Sequence, residues 1–271
     1  MSENQSNDRW PLYLRKMTAP EIGEAVAEAR IAILPVGSIE QHGAHLPIDT
    51  DLSTAEYLAE HGLQRARAMT GRPIAYVAPA LPFGITLEMD WPGHLHLRSS
   101  THIAVLYDVG SQLVKSGFGY VLFINGCVGN IATLNVAVSD LKERWPEAHF
   151  IAVGTTWAMP QAIKRNSGPG GMGHAGELET STQLVIDPDH VQMEKAVDEH
   201  IKHPSPWISY DFDTVQPFHW PVHFAKLTES GVIGDATAAT AENGLQILDA
   251  NVERIAGILR HIDELVKDSA Q

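Results

Sequence analysis

The stretch I-A-I-L-P-V-G-S-I-E-Q-H-G-A-H-L-P-I-D-T-D-L-S-T-A-E-Y-L-A-E-H-G-L, Ile31–Leu63, decides the fold. It opens on an apolar run, Ile31–Val36, of a length that suits a buried strand and is far too short to span a bilayer. A polar loop follows. From Thr50, a candidate helix cap, Leu52, Ala55, Leu58 and Leu63 then recur at a spacing that gives one apolar face. Strand, loop and helix in that order make a β-α unit.

The same alternation continues outward. Pro20–Arg30 reads as a helix leading into the first strand, Ile74–Leu81 as the next strand, Ser99–Ser116 as a helix and Tyr120–Ile124 as a strand. Asn130–Trp145 reads as a helix, His149–Val153 as a strand, and helix resumes near Glu177 and again over Ala236–Ser269. Repeated β-α units of this kind predict an α/β three-layer sandwich with a mostly parallel sheet. Residues 1–271 are expected to form a single domain, a common size for α/β proteins. Pro204–Val222 carries several Pro, Trp and Phe residues without a period, and no internal repeat or low-complexity tract appears.

Composition narrows the function. Lys plus Arg number 19 against 33 Asp plus Glu, a formal net charge of -14, so a phosphate backbone would meet a repulsive average field and nucleic acid is not expected as a partner. The single cysteine, Cys127, forbids an intrachain disulfide, and the polar start M-S-E-N-Q-S-N-D-R-W lacks the apolar run of a secretory signal. The expectation is a cytoplasmic protein with no membrane partner, acting on a small molecule.

Four clusters carry chemistry. Directly after the first strand, Glu40, His42, His45, Asp49 and Asp51 crowd together, a donor set that suits a borderline divalent ion such as zinc, manganese or iron(II). In a doubly wound sheet such loops at the carboxyl ends of strands are where sites form; a solvated loop with Asp51 starting a helix is the ordinary alternative. Asn125, Cys127 and Asn130 follow another strand, where a thiolate can ligate zinc or act as a nucleophile, or the cysteine can be a small buried apolar residue. The loop Gly168–Gly176, with five glycines and a proline, leads to His174, Glu177 and Glu179. These are candidate base, electrophile or ligands, or first-turn charges that favour the helix dipole. Finally Glu88, Asp90, His94 and His96 could place two imidazoles on one face of a strand.

Together the segments resemble the creatininase family. The chain supplies G-S-I-E-Q-H-G-A-H-L-P at Gly37–Pro47, then Asp51, N-G-C-V-G-N at Asn125–Asn130, G-H-A-G-E-L-E-T-S at Gly173–Ser181, and E-S-G-V-I-G-D-A-T-A-A-T-A-E-N-G at Glu229–Gly244. The resemblance runs from about Pro20 to Leu248 and rests on several motifs in order. It implies a two-metal hydrolase in which Glu40 binds one ion, His42 the other, Asp51 bridges them and Glu179 completes the second. His174 matches the histidine that moves protons, with Glu177 beside it as a catalytic candidate. It also implies a homo-oligomer, a hexamer by the family's example.

Three departures stand out. Cys127 replaces the family's ligand histidine, which keeps the position in the ligand set, favours zinc over manganese or iron and leaves one or two ions as alternatives. Gly129 stands where creatininases have a glutamate, which turns the reading away from creatinine. Met89 and His94 replace a histidine and a threonine. The expected reaction is water addition to the polarised carbonyl of a small polar cyclic amide or formamide. Alternatives are ring-opening carbon–carbon hydrolysis of a cyclic diketo-inositol, as in 3-dehydro-scyllo-inosose hydrolase, a catalytically impaired relative that binds a metabolite, and a thiol hydrolase built on Cys127 and His174.

Overall fold

The computed structural model describes residues 12–86, 91–154, 165–202, 207, 209–212 and 220–268. Helix α1 (Ala19–Glu28) precedes strand β1 (Ile31–Val36), followed by α2 (Thr50–Thr70), β2 (Ala75–Val77), α3 (Ser99–Lys115), β3 (Tyr120–Asn125), α4 (Ile131–Arg144), β4 (His149–Gly154) and α5 (Glu177–Ile186). A short antiparallel ribbon, β5 (Asp198–Glu199) with β6 (Gly234–Asp235), and the long helix α6 (Ala241–Asp268) complete the described elements.

The main sheet is parallel throughout, in the order β2-β1-β3-β4. Alternation along each strand sends side chains to two different cores. Ile31, Ile33, Tyr120, Leu122, Ile124 and Val153 pack beneath α2 and α6, where Leu248, Val252, Ile255, Leu259 and Ile262 supply the apolar stripe. Ala32, Leu34, Val36, Val121 and Phe123 pack on the opposite side against α3 and α4 through Leu106, Leu134, Ala137 and Leu141. Helices on both faces of one parallel sheet are the three-layer α/β sandwich predicted.

Several boundaries move for identifiable reasons. The β2 ladder ends at Val77, ahead of Pro79, which has no N–H to donate, and Leu81 meets Val36 only through an isolated bridge. Thr50 is the first helical residue of α2 rather than its cap; Asp49 holds the cap position, and the Thr50 hydroxyl donates to the Pro47 carbonyl at 2.8 Å. The last helix begins at Ala241, because Asp235 accepts from the Thr237 and Ala238 amides and winds Ala236–Ala238 into a separate tight turn. His94 and His96 sit outside any strand. Glu88, Met89 and Asp90 lie outside the described residues.

Strand β1 connects to β2 on one side, and β3 and β4 follow on the other, so the order reverses between β1 and β3. Crevices at such reversals, beyond the carboxyl ends of the strands, are the general binding position of open α/β sheets. Two of the four clusters, after β1 and after β3, therefore start side by side.

Candidate metal centre

Close backbone approach builds the site. A Cβ on Gly37 would fall 2.5 Å from the Leu52 Cα, and one on Gly126 would fall 2.0 Å from the Asp51 carbonyl oxygen. Glycine at both strand ends lets the first turn of α2 seat directly on β1 and β3, which lowers the Asp51 carboxylate into the crevice. Asn125 and Asn130 sew the same corner together. Asn125 donates to the Cys127 carbonyl at 2.6 Å, while Asn130 donates to the Gly37 carbonyl at 3.0 Å and accepts from the Ile85 amide at 2.8 Å.

In this corner Glu40, His42, Asp51, Cys127, His174 and Glu179 come together from three separate stretches. Three overlapping donor groups have ligand atoms all within 4.8 Å of one another: Glu40, Asp51 and Cys127; His42, Asp51 and Glu179; and Glu40, His42 and His174. Glu40, His42 and Asp51 each belong to two of them. His42 Nε2 lies 3.4 Å from Asp51 Oδ1 and 3.6 Å from Glu179 Oε2. Its other nitrogen, Nδ1, is 3.2 Å from the Glu40 carbonyl, an acceptor that makes Nδ1 the protonated atom and leaves Nε2 for the cluster. The Cys127 thiol donates to Glu40 Oε1 at 3.5 Å. The His174 ring lies 4.4 Å from that of His42 and is backed edge-on by Phe224 at 4.9 Å.

The electrostatics call for a cation. Burial alone would strip a proton from His42, yet the carboxylates of Asp51, Glu179 and Glu40 outweigh it and hold the ring's pKa up to about 10. Burial, then the Asp51 charge, pushes Glu40 well above the ordinary carboxylate range, and the same two causes with Glu40 push the Cys127 thiol up. Burial raises Glu179 to about 7 against the pull of His42. His174 is driven the other way, to about 3, by burial and then by the neighbouring His42 charge. Among the described residues His42 Nε2 and Asp51 Oδ2 are buried and make no hydrogen bond. Orphaned buried polar atoms are rare in folded proteins, and here both face the shared donor set. Imidazole, carboxylate and thiol in this arrangement fit a borderline divalent ion.

Not every expected residue arrives. Glu177 turns away: its Oε1 accepts from the Asn166 amide at 2.8 Å and Asn243 Nδ2 at 2.9 Å, and its Oε2 from the Ser167 amide at 2.7 Å. With both oxygens engaged in a buried loop anchor, Glu177 belongs to none of the donor groups. His45 bonds to Thr180 at 2.9 Å instead, and Asp49 is the helix cap. His94 and His96 stack with ring centroids 5.5 Å apart, and His94 Nδ1 is 2.6 Å from the Trp91 carbonyl; neither enters a donor group. Sequence reasoning missed Gln41 and Phe224. Gln41 stood inside the E-Q-H motif, and Phe224 in a stretch without a readable period.

Creatinine amidohydrolase, the description of the creatininase family, matches this chain over residues 15–259. The chain belongs to the creatininase family. A mycofactocin precursor peptide peptidase of Mycolicibacterium smegmatis is 30% identical over 218 residues, 80% of this chain and 79% of that protein. The creatinine amidohydrolase of Pseudomonas putida is 26% identical over 256 residues, 86% of this chain and 92% of the relative. A solved creatininase superposes with a TM-score of 0.75 at 23% identity, covering 92% of this chain and 96% of its own. With this membership and this donor cluster, the chain is a metal-dependent hydrolase. Among the described residues no helix is long and apolar enough to cross a membrane.

Proposed function

We propose that this creatininase-family hydrolase adds water to the polarised carbonyl of a small polar cyclic amide or formamide. Glu40, His42, Asp51, Cys127 and Glu179 would hold the divalent ions and His174 would move the proton. The observation that carries this reading is the overlap of three donor groups through Glu40, His42 and Asp51, together with the unbonded buried His42 Nε2 and Asp51 Oδ2.

When bound, the ions supply polarisation of the carbonyl and activation of water at neutral pH. Everything else falls to the chain. Asp51 fixes the spacing of the two donor groups. His174, kept neutral by burial and by His42, takes a proton from the attacking water and returns it to the leaving nitrogen. Phe224 backs that ring and excludes water behind it. Glu177, placed among the catalytic candidates by sequence, is assigned instead to holding the 166–167 loop against α6. Cys127 favours zinc over manganese or iron, with two ions the first choice and one the alternative.

Two other substrate classes have specific support. The peptidase at 30% identity favours a peptide amide. The 3-dehydro-scyllo-inosose hydrolase of Thermotoga maritima, 26% identical across 93% of this chain, favours the carbocyclic alternative. The test is metal analysis of the purified protein with a hydrolysis panel of cyclic amides, N-formyl compounds, short peptides and cyclic diketones. Bound zinc, and an activity lost to chelation and regained with zinc, are expected; a protein that binds no divalent ion, or an activity indifferent to chelation, would overturn the reading. Light scattering checks the proposed homo-oligomer.

A further inference from the structure

At the amino end of the sheet, away from the metal cluster, a groove of about 730 Å³ runs between the outer strand β4 and the flank of α6. Its floor holds Tyr120, the first residue of β3, and His149, its partner on β4; the two rings stack with centroids 4.5 Å apart and planes 9° from parallel. Its wall is one stripe of α6, Arg254, Ile258, His261 and Leu265, spaced three or four apart. Gly257 lies on the same wall, and a Cβ there would meet nothing within 4 Å, so the space above the helix is open. A volume of this size falls in the range of small-molecule sites. Strands rise about 3.3 Å per residue, so the length of β3 sets this groove roughly 17 Å from the carboxyl-end cluster, and a molecule held here is out of reach of the metal ligands.

Charge singles the groove out. The chain carries 33 Asp plus Glu against 19 Lys plus Arg, yet the groove is lined by Lys142 and Arg254 with His149 and His261, and by no carboxylate among the described residues. Glu264 pairs with His261 Nδ1 at 3.9 Å from outside the lining. Lys142 Nζ donates to the Pro146 carbonyl at 2.5 Å and the Ala148 carbonyl at 3.0 Å, which fixes the ammonium just ahead of β4 and leaves one of its three hydrogens. Between these charges the surface is apolar, with Phe150, Ile258 and Leu265, the last 42% exposed. Apolar surface rimmed by polar groups marks a binding surface, and low-dielectric walls focus the field of charges of one sign into a cleft. A second copy docked about a twofold axis would bring the same cations together. The complementary occupant is therefore an anion with an apolar body.

We infer that this groove is a binding site for an amphipathic anion, a carboxylate, sulfonate or phosphate head on an apolar body. The Arg254 guanidinium, a planar fork suited to such oxygens, pairs with the head. The body lies on the Tyr120–His149 stack and against Ile258, and Gly257 leaves the depth for it. No bond is made or broken there, and the site is separate from the hydrolytic centre.

The experiment uses the zinc-loaded full chain and two fluorescent probes that share one body: anilinonaphthalene sulfonate, which carries the charge, and phenylnaphthylamine, which lacks it. One sulfonate per chain is expected, bound about tenfold more tightly than phenylnaphthylamine, the scale of one charge-assisted contact. Arg254→Glu should weaken the sulfonate by about tenfold or more and leave phenylnaphthylamine within about twofold. Gly257→Leu puts its side chain into open space, so the helix is kept, and should weaken both probes. Neither variant should change hydrolysis or metal content. Absence of a stoichiometric sulfonate site, equal affinity for the two probes, or native sulfonate binding in both variants would overturn the inference, the last by showing that the dye sits elsewhere. So would light scattering in which Gly257→Leu lowers the oligomeric mass, because a neighbouring copy would then fill the groove.

Discussion

The first turn of α5 feeds two buried polar regions, which meet their hydrogen-bonding needs in opposite ways. Glu177 enters a region where each oxygen has protein donors, from Asn166, Ser167 and Asn243. Glu179 enters the cluster with Asp51 and His42, where its Oε2 takes the Ala175 amide at 2.6 Å while His42 Nε2 and Asp51 Oδ2 go unbonded. The two glutamates share a residue type and one turn of a helix, Glu177 fully buried and Glu179 partly so. A buried charge that is fully bonded by protein is a structural fastener, whereas one surrounded by orphaned donors and acceptors awaits a ligand.

The comparison breaks first at Asp51. Asp51→Ala should reduce hydrolysis at least 10³-fold, a loss expected when both ions lose their shared ligand, and should empty at least one ion site on metal analysis while the far-ultraviolet circular dichroism stays native. Full activity in a metal-loaded variant would show that the orphaned oxygen is incidental. His174→Asn comes next, expected to lower kcat by roughly 10²–10⁴ while metal content stays native, the range for lost general acid–base help. A change confined to KM would restrict His174 to binding.

The fold and the cluster were unequally legible in the sequence. Strands β1 and β3 were readable because fully buried parallel strands present uninterrupted apolar runs, and Ile31–Val36 and Tyr120–Asn125 are buried along their whole length; β4, at the sheet edge and only partly buried, was readable from its short apolar run Phe150–Val153. The convergence of Glu40, His42, Asp51, Cys127, His174 and Glu179 came from recognising ordered motifs, since no local period ties residue 40 to residue 179. What stayed hidden was direction. Glu177 and Glu179 lie two residues apart on a helix and so point to different faces, and only the fold shows which faces the crevice.

The satisfied region can be tested on its own terms. Glu177→Gln puts an amide NH2 among three donors, so at least one hydrogen bond to a buried charge is lost and a donor is left facing donors. A destabilisation of about 2–4 kcal/mol is expected, read by chemical denaturation, with metal stoichiometry unchanged in the folded fraction. Loss of metal without loss of stability would move Glu177 into the site and dissolve the contrast. A smaller effect is expected at Cys127. Cys127→His exchanges a soft donor for a borderline one, and should shift competition between manganese and zinc toward manganese by about tenfold, or about 1.4 kcal/mol. Unchanged content, preference and activity would place residue 127 outside the chemistry.

An effect of similar size concerns a buried group that crosses the division. His102 on α3 is fully buried; its Nδ1 is 2.8 Å from the Thr133 hydroxyl, which donates to the Asn130 carbonyl and so must accept from the ring. Its Nε2 is buried without a partner, as in the metal cluster, yet His102 belongs to no donor group. If an orphaned atom signals a site only where several converge, His102 should behave as a structural residue with a pH cost. Burial lowers its pKa from 6.5 to about 4. The unfolded chain therefore takes up a proton more readily than the folded one, so the stabilising contribution is complete above pH 6.5 and is lost as pH falls from there toward about 4. His102→Gln cannot titrate. Across that window the native protein should lose about 1–2 kcal/mol more than the variant, with metal content equal in both at neutral pH. Parallel stability curves would mean that the ring is not held neutral by its surroundings. A fall in metal content in His102→Gln would be more serious, because a lone buried orphan would then have marked a functional group as surely as the converged cluster does.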